Sequence, residues 1–449
     1  MISSERGDRK DLRDLTTSRE RSFWLPFGVA LLIRLVVVAF NFRATPDAAL
    51  HYERFGWEMG WIARSLAEGH GFSSPFFSFS GPTAMMPPLY PWLIAGVFRI
   101  FGVYSTASAF TMLALNSLFS SLICITLFFI AKHSFGRRVA CICAWAWALH
   151  PFAIYFSANR VWDYALTGLL LSVCVCVAQR LGARHRWGAW FGFGLLYGLA
   201  ALSNPATLTT FPVLLLWALY SSGRAHGFQR AQRALITCAG ILVIMLPWSL
   251  RCERTMHVVC PVRDNFWLEF WAGNTGDTSD PMPAWTHPAS NPAEMEKYLA
   301  EGEVQYIARK RAMAMETLRN HPGTFVERSL RRAVYFWTGF WSLSPGYRHR
   351  EPFEIPNVFF CTALTLLMLA GLFRLLRSDR AMALPYAGLV LIFPMIYYVT
   401  HPLMDYRQPI EPEIVILMVI AITSMTSKVA WAVEQDAEEL DSVAVLTTV

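Results

Sequence analysis

The chain has 449 residues, 54% of them hydrophobic and 16% charged, and its mean hydropathy is +0.35. A soluble globule carries about 25% charged residues, so this composition excludes that class and indicates a polytopic membrane protein. The net charge of +7 comes from Lys and Arg clustered in short loops between apolar runs, where they set topology. No RNA- or DNA-binding motif accompanies them, so no nucleic-acid partner is expected.

A bilayer crossing needs about 20 apolar residues, and basic short loops mark the cytoplasmic side. Residues 1–21 form a charged cytoplasmic tail. The run Ser22–Phe40 has Arg34 inside it and no small-residue cleavage site after it, the pattern of a retained signal anchor. A first outer loop occupies residues 41–106, with a helical pattern from His51 to Glu68 and an apolar run, Leu89–Phe101, too short to cross. The span Ala107–Ala131 ends at the basic stretch Lys132–Arg138. Further spans lie near Val139–Phe156, Tyr164–Ala178, Trp187–Leu202, Thr207–Tyr220 and Leu235–Leu250, with Arg-rich cytoplasmic connections at Gln179–Arg186 and Ser221–Arg233. Charge parity closes only if Leu89–Phe101 stays on the outer side, as a juxtamembrane or partly inserted helix.

Residues 22–250 are thus a transmembrane core, and residues 251–355 a large extracytoplasmic loop region. That region holds a mixed segment (Val262–Pro292), an amphipathic helix from Glu294 to Asn320, and a stretch (Phe336, Trp337, Phe340, Trp341) suited to the membrane interface. C-terminal spans at Asn357–Phe373, Met382–Val399 and Ile414–Val433 fill residues 356–433, before an acidic cytoplasmic tail, 434–449. The expected architecture is an all-α polytopic membrane protein with about ten transmembrane helices and no internal repeat. Most cysteines sit in apolar runs and pack as small hydrophobes, whereas Cys252 and Cys260 fall in the large outer region, a location compatible with a disulfide.

Three clusters carry the candidate chemistry. On the helix His51–Glu68, Tyr52, Phe55, Met59, Ile62 and Leu66 form one apolar stripe. Glu58 lies on its edge, at a boundary where a general base with a raised pKa would sit; an i,i+4 ion pair with Arg54 is the plainer alternative. Arg160 and Asp163 stand at the outer end of two spans, to line a polar site or to pair at the rim. The loop from His401 to Pro412 packs His401, Asp405, Tyr406, Arg407 and Glu411 among prolines; its arginine has the fork geometry for a phosphate, the alternative being an interfacial anchor. A weaker mix of cations, aromatics and amides suited to carbohydrate (Arg251, Arg254, Arg263, Trp267, Glu269, Trp271, Asn274) lies in the large outer region, and no metal-ligand cluster or Gly-rich phosphate loop is evident.

The combination resembles the membrane glycosyltransferases of the GT-C superfamily, specifically the bacterial relatives of protein O-mannosyltransferases and of the lipid A aminoarabinose transferase (glycosyltransferase family 39). The motifs that carry the resemblance are Leu66-Ala-Glu-Gly-His-Gly-Phe72 after a helix, Pro87-Pro-Leu-Tyr-Pro91 through Phe101-Gly102, the Arg160/Asp163 pair, and Tyr406-Arg407-x-Pro409-x-x-Pro412. The resemblance implies a GT-C fold and inverting transfer of one sugar from a polyprenyl-phosphate donor to a lipid, glycan or protein acceptor. A first-loop carboxylate would act as base, and no catalytic metal or other cofactor would be required. It also implies donor contacts among Tyr90, Arg160, Asp163, His401, Tyr406 and Arg407, in a bacterial inner membrane with the site facing outward. Many relatives begin the first-loop helix with Asp eight residues before an Ile-Ala step; here that position holds Phe55, so the base candidates are, in order, Glu58, Glu53 and Asp47. A lipid-linked-sugar transporter or flippase is disfavoured by the lack of internal repeats, and a polyprenyl-diphosphate-using polymerase or ligase would have a similar layout.

Overall fold

The computed structural model describes residues 23–44, 55–183, 186–223, 226–275, 284–340 and 354–426. Among them the chain is helical, with one isolated bridge between Ser73 and Pro82 and no strand. In chain order the helices are α1 (Trp24–Ala44), α2 (Glu58–Ala67), α3 (Leu89–Phe101), α4 (Thr106–Ala148), α5 (Pro151–Asn159), α6 (Tyr164–Leu181) and α7 (Trp187–Ser203). A 3₁₀ turn, Pro205–Thr210, leads into α8 (Phe211–Tyr220), followed by α9 (Gly227–Met256). Then come α10 (Phe266–Asn274), α11 (Pro292–Glu301), α12 (Glu303–Asn320) and α13 (Pro322–Thr338). The chain returns through α14 (Glu354–Ser378), α15 (Arg380–Ile392) and α16 (Met395–Val399), and a second 3₁₀ segment, Met404–Ile410, opens α17 (Glu411–Thr426).

Among the described residues six helices are long and apolar enough to cross a membrane, and α7 and Pro205–Tyr220 are among the shorter apolar segments. Helix α4 is two passes in one, because Gly136 at φ 80° breaks it where the basic stretch falls. Counting α4 as two and adding the shorter apolar segments α7, Pro205–Tyr220 and α17 gives about ten passes among the described residues. Their outer faces stay greasy: Leu32, Val36, Phe40, Leu242, Val243, Leu366 and Leu391 are all exposed, as lipid contact demands. The buried cation in α1 is fully engaged, since Arg34 donates to Ser120 Oγ and to the carbonyls of Ala30, Ala148 and Trp147.

The connections alternate between two ends of the bundle. At one end Gln179 Nε2 donates to Ser134 Oγ at 2.8 Å, and a Cβ on Gly182 would meet Ser221, so these basic connections cluster. Residues from the first loop, the α5–α6 and α7–α8 junctions, the segment after α9 and the loop before α17 all meet at the other end. Helix α3 adds no crossing. It packs along α2, and Phe55 contacts Phe98 and Tyr104 near its close, so both of its ends stay with the loops.

Several expectations change in detail. The first-loop helix begins at Glu58 and not at His51: Gly56 and Trp57 at positive φ form a turn there, so Phe55 precedes the helix, while His51, Tyr52 and Arg54 lie outside the described residues; Phe55, Met59 and Ile62 are buried. The amphipathic segment is two helices, because Gly302 at φ 74° separates α11 from α12. Phe336 and Phe340 pack inward rather than at an interface, and Trp337 Nε1 donates to Tyr398 Oη at 2.7 Å; Trp341 lies outside the described residues. Cys252 sits in α9 and Cys260 in the loop after it, both buried free thiols. The two chain ends, residues 1–22 and 427–449, are outside the described residues, as is the last part of the expected span Ile414–Val433.

A polar clasp ties the first loop to the outer helices. Glu303 at the start of α12 accepts from Ala84 N (2.6 Å), Tyr298 Oη (2.6 Å) and Thr83 Oγ1, and Asp264 N donates to Ala84 O at 3.1 Å. From the other side, Arg251 donates to the Thr83 and Phe72 carbonyls. Burial, and then the neighbouring Glu303 carboxylate, push Asp264 up to about 9, and burial raises Glu303 as well. The pair therefore favours a protonated state when folded. Its stabilisation is complete below the usual carboxylate range of about 4 and is lost as pH climbs through about 9. Asp264→Asn should remove that alkaline loss: the thermal midpoint of the wild type should fall more between pH 7 and pH 10 than that of the variant, and parallel falls would contradict the shared proton.

Candidate active site

The loop-rich end encloses a cavity of about 590 Å³. Its first wall is set by an unusual turn. Gly56 and Trp57 both adopt positive φ, 78° and 48°, so the chain reverses tightly and starts α2 at Glu58. Only glycine fits at 56, where a Cβ would also lie 2.8 Å from the Val161 carbonyl. An aromatic residue at positive φ is the kind of strained backbone that surrounding structure must enforce. Glu58 faces the cavity and is buried. Desolvation pushes its carboxyl up to about 7, with nearby Glu269 adding to the rise.

His287 is the neighbour of Glu58. Its Nδ1 accepts from Ala289 N at 3.3 Å, which places the proton of the neutral ring on Nε2, 3.8 Å from Glu58 Oε1. Burial lowers the His287 pKa and keeps the ring neutral. On the facing loops, Arg160 Nη1 lies 3.4 Å from Asp405 Oδ2, which also accepts from Tyr164 Oη at 2.7 Å. Asp163 accepts from Thr167 Oγ1 (2.8 Å) and Asn204 Nδ2 (3.2 Å). Arg263 lines the same cavity, where its charge acts on Asp163 and His401. His401 Nε2 is 2.9 Å from Tyr406 Oη, and Tyr406 stacks on Tyr397 at 4.7 Å. The cavity thus holds a buried carboxylate of raised pKa together with two arginines.

The model of the dolichyl-phosphate-mannose-protein mannosyltransferase family matches residues 85–250. No curated protein sequence matches the chain. Among solved structures, the archaeal oligosaccharyltransferase AglB from Archaeoglobus fulgidus, in complex with an inhibitory peptide and a dolichol-phosphate, is 14% identical with a TM-score of 0.52, over 90% of this chain and 50% of that one. The fold is GT-C. The same oligosaccharyltransferase tethered to an acceptor peptide gives 14% identity and a TM-score of 0.51 over 90% and 49% of the two chains. ArnT from Cupriavidus metallidurans bound to undecaprenyl phosphate is 14% identical, with a TM-score of 0.42 over 89% and 77%. The chain spans about half the length of the oligosaccharyltransferase.

Within this GT-C fold, Glu58, Arg160, Asp163, His401 and Tyr406 are brought into one cavity. Glu53 and Asp47 lie outside the described residues. Arg407 does not line the cavity. It is buried in a bidentate pair with Glu411 (2.6 and 2.9 Å), which also faces His150 Nε2 at 3.4 Å, and it donates to Trp337 O and Thr365 Oγ1. A guanidinium saturated in this way has no fork left for a phosphate. Tyr90 is likewise behind the wall: its hydroxyl donates to Asn116 Oδ1 (2.8 Å), and Asn116 Nδ2 donates to the Arg160 carbonyl (3.0 Å). It positions Arg160 rather than facing the cavity.

Of the weaker carbohydrate-like mix, Arg263 and Glu269 reach the cavity. Arg251 belongs to the clasp, Trp271 packs under Lys310, whose Nζ lies 3.3 Å from the ring centroid, and Asn274 Nδ2 donates to Val399 O. Asn265 and His287 also line the cavity, and nothing in a single chain marks an asparagine or a His-Pro step as a cavity residue. Glu411 carried a readable signal, the i,i+4 spacing from Arg407.

Proposed function

We propose that the chain is an inverting glycosyltransferase that moves a sugar from a polyprenyl-phosphate donor to an acceptor hydroxyl or amine on the extracytoplasmic face of the membrane. The observation that carries this reading is one cavity of a GT-C fold holding Glu58 together with Arg160 and Arg263. A carboxyl raised to about 7 is substantially ionised near neutral pH and still basic, as a general base should be. Glu58 takes the acceptor's proton while its heteroatom attacks the anomeric carbon from the face opposite the phosphate. The carbon–oxygen bond to phosphate breaks, and the polyprenyl phosphate leaves with its negative charge facing Arg160 and Arg263. His287 Nε2, 3.8 Å from Glu58 Oε1, is the polar neighbour closest at hand to the base without bonding it directly. The basic connections at the opposite end of the bundle support placing the cavity on the outer side of the membrane, and the proposal puts the protein in a bacterial inner membrane.

The test is incubation of the purified protein with a panel of polyprenyl-phospho-sugars and acceptors, read by mass spectrometry for loss of one donor and release of polyprenyl phosphate. Counterflow of a labelled lipid-linked sugar in proteoliposomes with no transfer product would replace this reading with a transporter. We propose also that no metal takes part. The resemblance to the GT-C mannosyltransferases supports this proposal, and EDTA should leave turnover unchanged; loss of activity restored by a divalent cation would overturn it.

A further inference from the structure

Beside Glu58 the cavity wall carries polar atoms that the protein leaves unmet. Asn265, the residue before α10, is 1% exposed and His401 3% exposed, while Glu269 lies one turn into α10. Asn265 Nδ2 donates to Glu269 Oε1 at 2.9 Å, which fixes both side chains. The remaining polar atoms, Asn265 Oδ1, Glu269 Oε2 and His401 Nδ1, are buried with no hydrogen-bond partner. His401 Nδ1 and Glu269 Oε2 face each other at 3.6 Å, too far for a direct bond. All three residues line the cavity. Leaving buried polar atoms unsatisfied costs about 1–3 kcal/mol each, so a cluster of them opening on a cavity marks a place where a ligand supplies the partners.

The chemistry of the three atoms selects the ligand. Two are acceptors, one of them a carboxylate oxygen, which disfavours a phosphate at this spot. The imidazole Nδ1 is able to donate when the ring takes a proton there, with Nε2 accepting from Tyr406 Oη. Neighbouring hydroxyls, each donating and accepting, match this set, and the Tyr406 ring, stacked on Tyr397, offers an apolar face to ring C–H groups. We infer that Asn265, Glu269 and His401 form the subsite that reads the hydroxyls of the donor's sugar ring. This rests on the glycosyltransferase reading above and assigns the sugar to a part of the cavity distinct from the phosphate-facing arginines.

The experiment measures binding of undecaprenyl phosphate alone and of its glucose, mannose, galactose and arabinose esters to the full-length protein, for wild type, Glu269→Gln and Asn265→Ala. Thermal unfolding of each variant checks that it is folded. Both variants should weaken the preferred sugar ester about 10- to 100-fold, the worth of a hydrogen bond to a charged or buried group. They should leave bare undecaprenyl phosphate within about twofold of wild type. Equal loss for both lipids, or no loss for either in a folded variant, overturns the subsite while the donor reading stands. A wild-type protein that binds neither bare nor glycosylated lipid sinks the glycosyltransferase reading, and the subsite with it.

Discussion

Glu58→Gln should lower turnover by about 10²- to 10⁴-fold, the usual contribution of a positioned general base, while donor binding stays close to wild type. Glutamine keeps the shape and the contact with His287 but accepts no proton at the acceptor nucleophile. The same assignment predicts a pH profile. Burial holds the carboxyl near 7, and the base must be ionised to act, so turnover should rise as pH increases through about 7 and level off above it. Below that value the protonated carboxyl is inert. The measurement is single-turnover transfer with saturating donor between pH 5.5 and 9. A Glu58→Gln enzyme that retains the wild-type rate would falsify the assignment, and so would a flat wild-type profile.

The second large effect is on stability. Arg407 and Glu411 are both buried and bound to each other through two contacts. Removing one partner strands the other charge, so Arg407→Ala should destabilise the fold by about 3–5 kcal/mol. Replacing both with apolar groups of similar volume, as in R407M/E411L, should recover much of that loss. Donor affinity should change little in whatever Arg407→Ala protein remains folded. Thermal unfolding in detergent and donor titration together decide it: a stable Arg407→Ala protein with donor affinity reduced tenfold or more would return Arg407 to the phosphate.

Span positions were legible because the bilayer imposes a length and the basic loops impose a direction, and both are local properties of the chain. Parity also marked Leu89–Phe101 as a helix that does not cross, and in the fold it is a 13-residue helix packed along α2. Glu58 was legible as an acid beside an apolar stripe, but the helical period does not run back through Phe55, since the turn at Gly56 and Trp57 starts the helix at Glu58 itself. What a single chain does not display is which polar groups have already spent their hydrogen bonds on each other. Arg407 and Arg160 look alike as letters beside acids. One is consumed by a neighbour four residues away and lies behind the cavity wall, while the other pairs with Asp405 yet lines the cavity, its carbonyl held by Asn116, itself bonded to Tyr90. His287 meets Glu58 across more than 200 positions, and Asn265 matters only because a separate loop brings His401 beside Glu269.

The clasp at Thr83 and Ala84 bears on how such a protein can be re-engineered. These two residues are gripped from one side by Arg251 and from the other by Glu303, with Asp264 bonded to the backbone between. The first loop is therefore not a cassette. A chimera that imported this loop from a relative with another acceptor would arrive without its anchors, and would need residues 251, 264 and 303 exchanged along with it before the new base could be seated.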